Sequence, residues 1–124
     1  MQINEYQADS NLQIKAYQPG SITVGNQCYQ QSIVISPSSV HTVTPRTIAE
    51  LTAKDLAFLI DLHPEVVILG TGNQQHFPAP ELLADLIDHQ IGTEIMDTSA
   101  ACRTFNVLLA ESRNVVAYLL IDSI

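Results

Sequence analysis

The run Val66-Val67-Ile68-Leu69 offers no polar residue to either side of an extended chain. Successive residues of a strand point to opposite faces, so a strand here needs apolar cover on both. Parallel sheets with helices above and below supply such cover, and an antiparallel sheet with one wet face does not. Gly70-Thr71-Gly72 terminates the run. This one segment therefore directs the second half of the chain toward alternating helices and strands.

The first half follows a different pattern. Gln13 to Gln18 and Ser21 to Val24 are separated by Pro19-Gly20, the residues of a tight turn, and Gly25-Asn26 marks a second short connection. From Gln27 to Ile35 an alternating strand is expected, with Tyr29, Ile33 and Ile35 on one face and Cys28, Gln30, Ser32 and Val34 on the other. Ser36-Pro37-Ser38-Ser39 interrupts it, and Val40 to Thr44 forms another short extended piece. Residues 1–11 read as a loose lead-in or a short edge strand.

After Pro45 the period becomes helical. Thr52 caps a helix carrying Leu56, Leu59 and Ile60, and Pro64 stops it. Pro80 opens a second helix with Leu82, Leu83, Leu86 and Ile87 as its buried stripe, and Gly92 is the expected left-handed stop. Glu94 to Met96 is a short strand. A third helix, capped by Thr98 or Asp97, buries Ala101, Phe105, Leu108 and Leu109, and Val115 to Ile121 is the last strand. The order is antiparallel β, then αβαβαβ with three mutually parallel strands, and no linker or repeat divides residues 1–124 into more than a single domain.

Charge narrows the function. Five Lys plus Arg against thirteen Asp plus Glu give a net charge of -8, which disfavours nucleic acid and anionic lipid surfaces. The longest apolar run, Val115 to Ile121, is too short to span a bilayer, and no basic and apolar leader opens the chain, so no transmembrane segment and a cytoplasmic location are expected. Cys28 and Cys102 form no C-x-x-C and read as thiols in a reducing compartment. The four histidines show no metal-binding spacing, so neither metal nor cofactor is expected.

Loops that follow parallel strands gather at one rim, where ligands bind. Gly70-Thr71-Gly72 and Asp97-Thr98 are two such loops and are expected to be neighbours. The first opens like a phosphate-binding turn, but Asn73-Gln74-Gln75 brings no third glycine, no lysine and no immediate helix. A sharp exit from the sheet is the simpler reason for its glycines. With Thr98 as cap, Cys102 ends the first helical turn. It is either a thiolate stabilised by the helix N-terminus and Arg103 or a small core residue, and the lack of a neighbouring histidine favours the second. Asp97 is a cap or an acid–base group, with capping the commoner role. Asn106, at the margin of the stripe, reads as an amide tying the helix to an adjacent loop, and Arg113 as a cation at the helix C-terminus.

Taken together, Val67-Ile68-Leu69-Gly70-Thr71-Gly72, Ile91-Gly92 with Glu94, Asp97-Thr98, Ala101-Cys102, Thr104-Phe105-Asn106 with Leu108, and Arg113 before Val115 resemble a family of small proteins of unknown biochemical activity. The family includes bacterial members, the adipogenesis-associated domain protein of animals and a mitochondrial assembly factor for respiratory complex I. The likeness is concentrated in about the last half of the chain, and the sequence lacks the tryptophan that members often carry in the stretch matching Val40 to Thr44. The resemblance implies a three-layer α/β fold with a mixed central sheet, and a noncatalytic role exercised through a protein partner. It implies no catalytic residue.

Two functions of different class follow. One is a noncatalytic binding or assembly module with a protein partner, a second copy of the chain included, paired through open sheet edges. The other is a small-molecule-binding enzyme or thiol sensor whose crevice is formed by Gly70, Thr71, Gly72, Asp97, Thr98, Cys102 and Arg103.

Overall fold

The computed structural model describes residues 12–122, so the lead-in expected over residues 1–11 lies outside the described residues. Strands β1 (Ile14–Gln18), β2 (Ser21–Val24) and β3 (Gln27–Tyr29) form an antiparallel sheet in the order β1-β2-β3. Pro19-Gly20 and Gly25-Asn26 make its turns, with Gly20 at φ 91° and Gly25 at φ 58°. A register shift between Ile14 and Ala16 leaves Lys15 as an extra residue in β1.

A second sheet contains β4 (Ile33–Ile35), β5 (Val40–Thr42), β6 (Val66–Gly70), β7 (Gly92–Met96) and β8 (Val115–Leu119), ordered β5-β4-β8-β6-β7. The three later strands are mutually parallel, whereas β4 is antiparallel to β5 and β8, so the sheet is mixed. The strand expected over Gln27 to Ile35 is in fact two strands in different sheets. The alternation across it fails because β4 is inserted between two neighbours and covered on both faces, leaving Ile33, Val34 and Ile35 all at 0% exposure. Ser32, at the transfer point, is buried with its Oγ accepting a hydrogen bond from the Ile121 amide at 2.9 Å.

Three α-helices, α1 (Ala53–Ala57), α2 (Pro80–Asp88) and α3 (Thr98–Ala110), complete the chain. Thr52 caps α1 in a reciprocal capping box with Asp55, and the helix tightens to a 3₁₀ turn over Phe58–Leu62 before His63 takes a left-handed conformation ahead of Pro64. Gly92 is not the left-handed stop of α2. Gln90 holds that place at φ 60°, with the Ile91 amide donating to Leu86 O and the Gln90 amide to Ile87 O. This is the Schellman pattern, and it recurs after α3 around Ser112. Gly92 instead begins β7.

Cover on both faces of the large sheet arises as the sequence demands. On one side Ile33, Ile35, Val66, Ile68, Val115, Ala117 and Leu119 meet Ala101, Cys102 and Phe105 of α3 and Ile14, Ile22 and Val24 of the small sheet. On the other, Val34, Val67, Leu69, Val116, Tyr118 and Leu120 meet Leu56, Leu59 and Leu86. The result is three layers, with α3 and the small sheet on one face and α1 and α2 on the other.

Asn106 joins α3 to the small sheet. Its Oδ1 accepts from the Ile14 amide at 2.9 Å and its Nδ2 donates to Ile14 O at 2.7 Å, so the side chain imitates a neighbouring strand at the edge of β1. The partner is thus a strand and not a loop. Asn106→Ala should destabilise the fold by about 1–3 kcal/mol in urea unfolding, because both backbone groups lose their partner in a part-buried place. Hydrogen exchange at the Ile14 amide should accelerate in the variant while that at Val116 does not. Unchanged protection of Ile14 would show that the amide is held by something else.

Candidate functional site

The two loops singled out in the sequence meet at one rim of the large sheet, because β6 and β7 are adjacent and parallel. The Thr71 amide donates to Met96 O and the Thr98 amide to Gly72 O, both at 2.9 Å. Asp97, and not Thr98, is the cap of α3: its Oδ1 accepts from the Ala100 amide at 2.8 Å. Thr98 is the first helical residue and is wholly buried. Its hydroxyl donates to Leu120 O at 2.7 Å and accepts from the Gly72 amide at 2.8 Å.

The glycines of the first loop permit this approach. A Cβ on Gly70 would lie 3.0 Å from Thr98 Oγ1 and 3.1 Å from both Ala101 Cβ and Leu119 Cδ2. Gly72 sits at φ +100°, and a Cβ there would come within 2.6 Å of the Asp122 carboxylate oxygens. That carboxylate accepts from the Asn73 amide at 2.9 Å, so this donor of the loop is already taken by an acidic group of the chain. Thr71 is also buried, its hydroxyl donating to Gln74 O at 2.6 Å and accepting from the His76 amide at 3.1 Å.

Gly70, Thr71, Gly72, Asp97 and Thr98 are therefore brought together by bonding to one another and to their neighbours. Cys102 and Arg103 lie further along α3, beside a surface cavity of about 290 Å³ that Lys15, Tyr17, Ser99 and Asn106 also border. Arg103 is exposed and donates to Ser99 Oγ at 2.9 Å. Cys102 is only 5% exposed. Burial pushes its thiol up from the ordinary 9.0 to about 12, a rise that Arg103 opposes and Asp97 reinforces. With Asp97 as cap, the sulfur stands beyond the first turn, where the helix dipole fades. At neutral pH it is a protonated thiol packed in the core. Cys28, in β3, is an exposed free thiol.

Other residues of the rim carry no local sequence signal. Tyr17 Oη donates to Asn73 Oδ1 at 2.9 Å, which links the small sheet to the loop that Asp122 also holds. Burial and then the Asp122 charge raise the Tyr17 phenol above its ordinary 10.0. Arg46 donates to Gln30 O and Ile121 O, both at 3.3 Å, and so secures the transfer between the two sheets. At the opposite end of the sheet Arg113 pairs with Glu65 at 3.2 Å, and His89 Nδ1 contacts Asp85 O at 2.8 Å. Among the described residues, no group of three or more His, Cys, Asp or Glu is placed to hold a metal ion.

A family model described as a protein of unknown function (DUF498/DUF598) matches residues 14–120, which extends the likeness through the β-rich first half. A "13 kDa major membrane protein" of Francisella tularensis is 24% identical over 93% of this chain and 95% of its own length. The protein named NADH dehydrogenase (ubiquinone) 1 alpha subcomplex assembly factor 3 in Danio rerio is 29% identical over 95% of this chain, which spans 69% of that relative. A crystal structure of a Bordetella parapertussis protein, 39% identical, superposes with a TM-score of 0.83 over 88% of this chain and 94% of the other.

Thr98→Val, which keeps the shape of the side chain and removes the hydroxyl, should cost about 2–5 kcal/mol in chemical denaturation, since it strands the Gly72 amide and Leu120 carbonyl in the interior. Thr98→Ser should restore most of the loss, and equal stability of the valine and serine variants would contradict this role. For Cys102 the raised pKa means that above pH 9 the unfolded chain releases a proton that the folded chain retains until about pH 12. Its contribution is fully present below pH 9 and is lost as pH rises through that interval. Cys102→Ala should accordingly flatten the alkaline fall of stability, and native protein treated with iodoacetamide at neutral pH should be labelled at Cys28 alone. Rapid native labelling of Cys102 would overturn the assignment.

Proposed function

Because the chain belongs to the family of proteins of unknown function described as DUF498/DUF598, we propose that it is a noncatalytic, assembly-factor-like module that acts by binding another protein. The observation that carries the reading is the state of the rim. The hydroxyls of Thr71 and Thr98 and the amides of Gly72 and Asn73, which a small ligand would need, already bond within the chain. The one cysteine near them is a buried, protonated thiol, which is a poor nucleophile. The assembly-factor name of the Danio rerio relative supports the same reading. Because Cys28 and Cys102 are both free, we propose a reducing location, the cytoplasm.

Affinity capture with the tagged full chain from its native cells should return a protein in stoichiometric amount. Cys102→Ala and Arg103→Ala variants should capture it equally well. Monomeric behaviour with no specific protein recovered would defeat the proposal, as would a co-purifying small molecule that is lost in Arg103→Ala.

A further inference from the structure

The outward face of α2 is apolar and acidic in two parallel stripes that the fold does not use. With about 100° between successive helical residues, burial of Leu86 and partial burial of Leu82 and Leu83 turn Pro80, Ala84 and Ile87 into one exposed stripe. Glu81, Asp85 and Asp88 form the next stripe around the helix, with the same spacing, and all three are exposed. Ile87, expected in the buried stripe, is instead 62% exposed, and Phe77, in the loop that enters the helix, is 76% exposed. These are the two most exposed large apolar side chains among those described. The charge along this part of the sequence is one-sided as well: from Lys54 to Arg103 the intervening residues include eight acidic ones and no lysine or arginine.

We infer that the outer stripes of α2 are the docking surface for a cationic amphipathic segment of a protein partner. The inference rests on the protein-binding reading above and names the chemistry of its partner. Apolar side chains of such a segment cover Pro80, Ala84 and Ile87, while its lysines or arginines face Glu81, Asp85 and Asp88. Charge complementarity selects this occupant. A second copy brings the same acidic stripe and a net charge of -8, and like charges opposed across an interface are costly. Anionic lipid is disfavoured for the same reason.

The test uses the full chain, isotopically labelled, with a synthetic leucine–lysine amphipathic helix as probe and a scrambled peptide of the same composition as control. Amide shifts should concentrate in residues 76–91, and the scrambled peptide should bind at least roughly tenfold more weakly. Asp85→Lys with Asp88→Lys should weaken binding by roughly tenfold or more, whereas Glu50→Lys with Glu111→Lys, an equal charge change at exposed positions outside the segment from Lys54 to Arg103, should leave it within about twofold. Ile87→Ser should weaken binding while leaving the spectrum of the free protein folded. Equal loss in the two charge-reversal pairs, or equal binding of the scrambled peptide, would mean attraction to net charge and would overturn the inference. Concentration-dependent self-association or vesicle binding that is abolished by Ile87→Ser would overturn it in favour of another occupant. A partner captured by the native chain and retained by the Asp85→Lys/Asp88→Lys variant would sink this surface while leaving the protein-binding function intact.

Discussion

The Thr98 hydroxyl holds three separate parts of the chain at one buried point. It belongs to the first turn of α3, receives the amide of the loop after β6, and donates to the carbonyl just beyond β8. Bonds of this kind contribute modestly when made and cost more when broken, because the stranded partners cannot reach water. The approach requires Gly70, whose absent side chain leaves room for Thr98, Ala101 and Leu119 to close on β6. A glycine-threonine-glycine loop after a buried strand can cradle a phosphate, yet here the same features serve close packing, and the Asp122 carboxylate lies against the loop from within.

Strand order explains why so much depends on that point. β8 is the last strand in sequence but lies between β4 and β6, so the large sheet has a gap until residues 115–119 enter it. Its side chains serve both cores: Val115, Ala117 and Leu119 face α3, while Val116 and Tyr118 face the layer of α1 and α2. The first half of the molecule is joined to the second by long-range pairings, among them Ile14 with Asn106, Tyr17 with Asn73 and Ser32 with Ile121. Pairings of such sequence separation form late, because loop-closure entropy is lost before they return any stabilisation.

What could be read from the sequence and what could not follow the same division between near and far. Apolar cover on both faces of Val66–Leu69, the Thr52 cap, the Pro80 start and the stripe of Ala101 and Phe105 depend on residues within a turn or two, and each is legible. The split between β3 and β4 is not, because Ile33, Val34 and Ile35 carry the same residue types whether a strand has one wet face or none, and only the position between β5 and β8 decides it. Gln90 takes the left-handed place expected of Gly92, since two carbonyl-satisfying bonds offset the strain of a side chain at positive φ. The nearness of the two rim loops follows from parallel topology, but their closure on each other depends on Asp122 and Leu120, some fifty positions from Gly72 and invisible to any local pattern.

A rim that is satisfied from within changes where function is to be sought. In open α/β sheets the loops after parallel strands are the usual place for ligands because their amides and small residues are left free. In this chain the amides of Thr71, Gly72, Asn73 and Thr98 are spent on structure, and groups of another kind stand open elsewhere: apolar side chains with acidic neighbours on the far side of the sheet from Cys102. A reactive centre needs convergent polar groups shielded from water, whereas a docking surface needs the reverse, apolar area held open to solvent with charge at its margin. Ile87, with Pro80 and Ala84, beside Glu81, Asp85 and Asp88 meets the second description. The uninterrupted acidity from Asp55 to Asp97 then becomes a selective element, since it repels copies of the chain and anionic surfaces while leaving cationic partners free to approach.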